Sequence, residues 1–159
     1  MHDHPSHAAT PPATSVDVPR LARQATTHCL TGCAIGEVLG MIVSGAASLG
    51  TTPSIVVSIA LAFVFGYGLT IWPLLRAGTA VPDALRLALA SDTVSITVME
   101  AVDNATILVV PGAMTAGLGD RLFWVTLAGG FVIAWLVTYP VNRWLIARGR
   151  GHAVVHGQH

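Results

Sequence analysis

Four long apolar segments, at about 26–49, 54–75, 83–110 and 122–146, take up most of this chain, and short breaks separate them. The breaks read LGTTPS at 49–54, RAGTAVPD at 76–83 and PGAMTAGLGDR at 111–121. Each carries the Gly, Pro, Asp and Thr chemistry of a turn. Each apolar segment reaches the roughly 20 residues that a helix needs to cross a hydrocarbon layer. In lipid, every backbone N–H and C=O must be satisfied within the chain, which leaves helices or closed barrels. Segments of this length are helices. The chain is 53% hydrophobic and only 10% charged over 159 residues; a soluble domain carries more than twice that charge. The expected fold class is all-α: a polytopic membrane protein with four transmembrane helices in one bundle.

The ends of the segments set an expected orientation. All eight basic residues are Arg. If four spans alternate, Arg20, Arg23, Arg76, Arg86, Arg143, Arg148 and Arg150 fall on one side, and Arg121 alone falls on the other. The positive-inside rule then places both termini in the cytoplasm. Trp72, Trp124 and Trp144 lie near span ends, as interfacial anchors do, whereas Trp135 lies mid-span. Residues 1–25 read as a disordered His-containing leader, since they lack the basic and apolar regions of a secretory signal. Residues 147–159 read as a cytoplasmic Arg/His tail. Zero formal net charge gives no nucleic-acid footprint.

Against this apolar background stand four acids, Glu37, Asp92, Glu100 and Asp103, with no basic residue at their depth. Each costs roughly 2.5–3.5 kcal/mol at a bilayer centre on insertion scales. A whole domain is stable by only about 5–15 kcal/mol. These groups must be protonated, hydrogen-bonded to one another, or neutralised by a cation.

Glu37 belongs to a stripe. Cys29, Cys33, Glu37 and Met41 recur every four residues, and His28 precedes them. On a helix they form one drifting line about 18 Å long. Beside it runs Gly32, Gly36 and Gly40, a double GxxxG that lets another helix approach closely. The polar stripe therefore borders a packing face and is expected to point into the bundle. Thiol, thioether, imidazole and carboxylate are all metal ligands, and Cys with Met favours soft ions such as Cu(I), with Zn(II) as an alternative. Packing remains an equal reading of the Cys pair, because Cys is also a small hydrophobe. Acylation near a membrane boundary is a third.

The other three acids lie in SDTVSITVMEAVDNAT at 91–106. At 100° per residue, Asp92, Met99 and Asp103 share one face with Ser95 beside them, and Glu100 lies some 80° away. Glu100 and Asp103, three residues apart, are neighbours on a helix, and they cannot both ionise freely side by side. Helix-to-helix hydrogen bonding accounts for Ser95, Thr97 and Asn104. It accounts poorly for three acids on one helix.

In the tail, His152 and His156 are four apart, so they can share a helix face and a metal; a solvated tail is the plainer reading. Asn142 and Arg143 are expected to anchor lipid phosphate or cap a helix. No C-x-x-C-H haem motif, phosphate loop, nucleophile elbow or HExxH occurs. Catalytic residues are thus unknown, and an enzyme is the lesser expectation.

THCLTGCAIGEVLGM (27–41), LAFVFGYGLTIWPLLRAG (61–78), ALRLALASDTVSITVMEAVDN (84–104) and PVNRWLIARGRGHAVVH (140–156), taken together, resemble a family of short bacterial integral membrane proteins described as domain of unknown function 4396. The likeness covers roughly residues 25 to 156. It implies four helices and a bacterial inner (cytoplasmic) membrane. It implies no activity.

The expected function is binding or transport of a metal cation, Cu(I) or a divalent transition metal, with Cu or Zn as the expected cofactor. His28, Cys29 and Cys33, assisted by His152 and His156, form one site. Glu37, Met41, Asp92, Met99, Glu100 and Asp103 line a deeper path. The soft and hard donors pull toward different ions. Alternatives are a proton channel or proton-coupled protein using the acids as a relay, a membrane-embedded metalloenzyme, and an accessory subunit with a membrane-protein partner. Because four spans make no wide pore from one copy, a homo-oligomer in the lipid bilayer is expected.

Overall fold

A computed structural model describes residues 17–148 and resolves them into four long helices. These are α1 (Val18–Ala46), α2 (Thr51–Arg76), α3 (Val81–Val109) and α4 (Arg121–Ala147), with a single 3-10 turn at Ala113–Thr115 before α4. Among the described residues there is no strand. His152 and His156 lie outside the described residues.

The sequence explains where the helices start. Asp17 caps α1 by accepting a hydrogen bond from the Arg20 N–H at 3.1 Å, and Pro19 sits in the first turn, where its missing N–H is harmless. The helix therefore begins within the segment read above as a leader, eight residues before the apolar run. Pro53 and Pro82 occupy the first turns of α2 and α3 in the same way. Helix α2 thus starts at Thr51, inside the LGTTPS stretch read as a break. Gly78, with φ 86°, and Gly112, with φ 83°, supply the left-handed residues that turn the chain after α2 and α3.

The helices run up, down, up, down. Gly32 of α1 lies opposite Gly66 of α2, Gly36 opposite Ala62, and Gly40 opposite Ser58. That register is antiparallel and very close. A β-carbon added to Gly32 would sit 2.6 Å from the Gly66 Cα, and one at Gly36 would strike the Ala62 backbone. The GxxxG reading of this face holds. On the far side, Asp103 of α3 meets Gly130 of α4, and Ser95 meets Asn142. The two remaining helices, α1 and α3, run parallel and face each other across the bundle.

Burial is reversed relative to a water-soluble bundle. The interior holds Thr26, Glu37, Ser44, Ser58, Asp92, Ser95, Glu100, Asp103 and Asn142, among alanines and a few larger apolar residues such as Ile96, Met99 and Phe123. The outside carries Val56, Val64, Leu108, Val109, Val125, Val132 and Leu136, all well exposed. Exposed apolar surface on this scale marks contact with something other than water. Three of the helices, α1, α2 and α4, are long and apolar enough to cross a membrane. Helix α3 has the same 29 residues as α1, but its acids dilute its apolar character.

Candidate functional site

Where α1 and α3 face each other, their polar residues meet. Cys29, Cys33 and Glu37 of α1 are all buried, as are Asp92, Ser95, Met99, Glu100 and Asp103 of α3. Cys29 faces Ser95 and Asp92. One turn further along, Cys33 faces Glu100. Glu37 faces Glu100 as well, and Ser58 of α2. Asp103 stands within electrostatic reach of both Glu37 and Glu100. The parallel course of α1 and α3 is what keeps these pairs in step, since equal steps along both helices preserve the pairing.

The Asp103 carboxyl has been given room by a small neighbour. Helix α4 leaves a gap at Gly130, and a β-carbon there would collide with the Asp103 carboxyl. The Gly66 gap on α2 is filled by the end of Ile96. Sequence reasoning missed Gly130. The only signal for it was the Gly129–Gly130 pair in the middle of an apolar helix, and only one of the two faces inward: nothing approaches Gly129 within 4 Å.

The two ends of the site differ in how their polar atoms are satisfied. Toward the start of α1, Ser95 donates to the Asn142 side-chain oxygen, the Asn142 amide donates to Thr26 Oγ1 at 2.9 Å, and Thr26 donates to the Ala22 carbonyl at 2.7 Å. Ser91 donates to Asp92 at 2.8 Å. Asn142 is only 3% exposed, which corrects its expected role as a lipid anchor or cap. It is the crosspiece of a buried network joining α1, α3 and α4. Toward the other end, Glu37 Oε1, Glu100 Oε2, both Asp103 oxygens and Ser44 Oγ are buried without a hydrogen-bond partner, and nearer the Asn142 end so is Thr138 Oγ1. Such groups are rare in folded proteins, and each calls for an ion, a proton or water. No described Arg supplies the charge, for every one of them is exposed.

Met99 is buried in the central cluster with Cys29, Cys33, Ala62, Ile96 and Ala134. His28 turns toward α2, with its Nε2 3.0 Å from Thr70 Oγ1. Met41 packs at the far end, beside Ala116, Phe123 and Leu127. Among the described residues, no three of His, Cys, Asp and Glu converge in a geometry that would hold a metal ion. The donor chemistry fits a cation, since the orphaned atoms are oxygens and a thiol lies beside them. Ligation would require side chains to turn toward one another.

A cavity of about 380 Å³ adjoins two of the residues with orphaned oxygens, Glu37 and Ser44. It lies between the α1–α2 turn and the linker from α3 to α4, and Glu37 forms part of its wall.

Helical architecture, a reversed polar interior and three helices able to cross a membrane together define a helical membrane-type protein with a buried acid–thiol core. The chain belongs to the family described as Domain of unknown function (DUF4396), whose model matches residues 20–151. No curated protein and no solved structure matches the chain.

Proposed function

We propose that this chain spans a bacterial inner membrane four times, with both termini in the cytoplasm, and that its core binds and passes a metal cation. Support for the fourth span is the length of α3 and the way it turns its acids inward while showing Leu85, Leu89, Val94, Leu108 and Val109 outward. Support for the orientation is the arginines. Arg20, Arg23, Arg76, Arg86, Arg143 and Arg148 lie at the end where α1 starts and α2 finishes, and Arg121 lies at the other.

The observation that carries the cation reading is the set of orphaned carboxylate oxygens on Glu37, Glu100 and Asp103, beside the Cys33 thiol, with no Arg at that depth. A buried carboxyl without a basic partner needs either a proton or a cation. Thiols add preference for a soft one, Cu(I) above a divalent ion, and ligation would release the thiol proton. The core lies within a single chain, so a second copy is not needed to complete it, although several bundles side by side in the bilayer fit the same reading. The test is elemental analysis of protein purified without a His tag. Wild type should carry metal in stoichiometric amount. Replacing Cys29 and Cys33 with Ser should remove it, and unchanged metal content in that variant sinks the thiol site.

A second reading, proton passage, draws on the hydrogen-bond chain Ser95–Asn142–Thr26, which extends the acid cluster toward the start of α1. Proton flux in vesicles that is lost in Glu100→Gln supports it; flux equal to empty vesicles removes it.

A further inference from the structure

The cavity beside Glu37 is walled by donors of a particular kind. Met41 comes from α1, and Met114 comes from the linker before α4. Ser44, Ser58 and Asn104 add neutral oxygens. Among the described residues, Glu37 is the only ionisable side chain in the wall. Two of these groups are more than nine-tenths buried and lack a partner: Glu37, 6% exposed, through Oε1, and Ser44, 4% exposed, through Oγ. A buried carboxylate oxygen with nothing to accept from, at the edge of an open space, marks a place that something positive occupies.

The thioethers narrow the class. A cavity for a hard divalent ion would be lined by several carboxylates. This one offers two thioethers, neutral oxygens and a single acid, which is a donor set for a soft monovalent ion such as Cu(I). Thioethers also stay serviceable in an oxidising compartment where exposed thiols do not. The orientation proposed above places this end outside the cytoplasm. The two cysteines lie deeper, and they are 1% and 2% exposed. Donors are therefore graded along one line, from thioether at the mouth to carboxylate and then thiol.

We propose that this cavity is the port through which a soft monovalent metal ion reaches the core, with Met41 and Met114 as its first ligands and Glu37 as the acceptor at its inner end. The proposal rests on the cation reading of the core and assigns the route into it.

The test uses full-length protein in nanodiscs and Ag(I), a redox-inert stand-in for Cu(I), in chloride-free buffer. Wild type should load silver to a fixed stoichiometry. Met41→Leu combined with Met114→Leu keeps the side-chain volume nearly constant. It should reach the same core stoichiometry but load about ten-fold more slowly or worse. A second variant, Thr51→Cys, places a thiol on the exposed wall of the cavity. A bulky membrane-impermeant thiol reagent should modify it, leave the buried native cysteines of wild type untouched, and then retard silver loading to a similar degree. If wild type loads silver but both variants load at its rate, or if Thr51→Cys resists the reagent, the port is overturned while the core site stands. If wild type takes up no silver at all, the soft-cation reading fails, and the port fails with it.

Discussion

The bundle interior has two halves of opposite character. Around Asn142, where α1 starts and α4 ends, Asn142, Ser95 and Thr26 satisfy one another through a network of side chains, and Thr138 Oγ1, one turn away, stands outside it. Around Glu37, Glu100 and Asp103, the buried polar groups do not satisfy one another. Both halves bury similar chemistry at similar depth, so burial alone does not separate structure from function here. Satisfaction does. A network whose members all have partners stabilises and fixes a packing arrangement. A cluster left open is unfavourable to folding unless a proton, ion or water completes it.

Substitutions of the buried polar side chains themselves should therefore act with opposite sign in the two halves. The largest loss is expected for Asn142→Ala, which takes the acceptor from the Ser95 hydroxyl and the donor from Thr26 Oγ1. Unfolding in detergent should become easier by about 1–3 kcal/mol; a change within error would mean that the network is ornamental. Gly130→Ala should come next, by about 1 kcal/mol, because its β-carbon meets the Asp103 carboxyl. Its neighbour Gly129→Ala, with open space around it, should be neutral or slightly stabilising. Equal effects at the two positions would refute the gap. Loss of the Tyr67–Thr93 hydrogen bond, 2.9 Å long, in Tyr67→Phe should cost about 0.6 kcal/mol. Glu100→Gln and Asp103→Asn should leave the metal-free protein as stable as wild type or more so, and abolish any stabilisation by added metal. If either destabilises as much as Asn142→Ala does, the cluster is satisfied after all, and the contrast between the halves collapses.

Much of this was legible in the chain. The four-residue spacing of Cys29, Cys33 and Glu37, next to Gly32, Gly36 and Gly40, was enough to point the stripe inward against a closely packed neighbour. The 100° periodicity likewise turned Asp92, Met99 and Asp103 to one side. What periodicity does not carry is the identity of the partner across the interface. Whether Glu100 meets Cys33 or an arginine depends on which helix lies opposite. Asn142 looked like a helix-end residue because Arg143 follows it; only the crossing of α4 over α1 and α3 shows that it lies inside while Arg143 lies out. His28 was grouped with the cysteines by adjacency, yet adjacent residues on a helix point about 100° apart, and its ring meets Thr70. Met114 carried no signal at all, since it belongs to a linker whose course no repeat dictates.

The glycine register between α1 and α2 has one more consequence. With Gly32 on Gly66, Gly36 on Ala62 and Gly40 on Ser58, that hairpin is clasped along its length and cannot slide without collision. Glu37 and both cysteines ride on it; Asp92, Glu100 and Asp103 ride on the other hairpin. Any rearrangement that spares the clasp must run along the seam between the two hairpins, like the jaws of a vice with the chemistry divided between its faces.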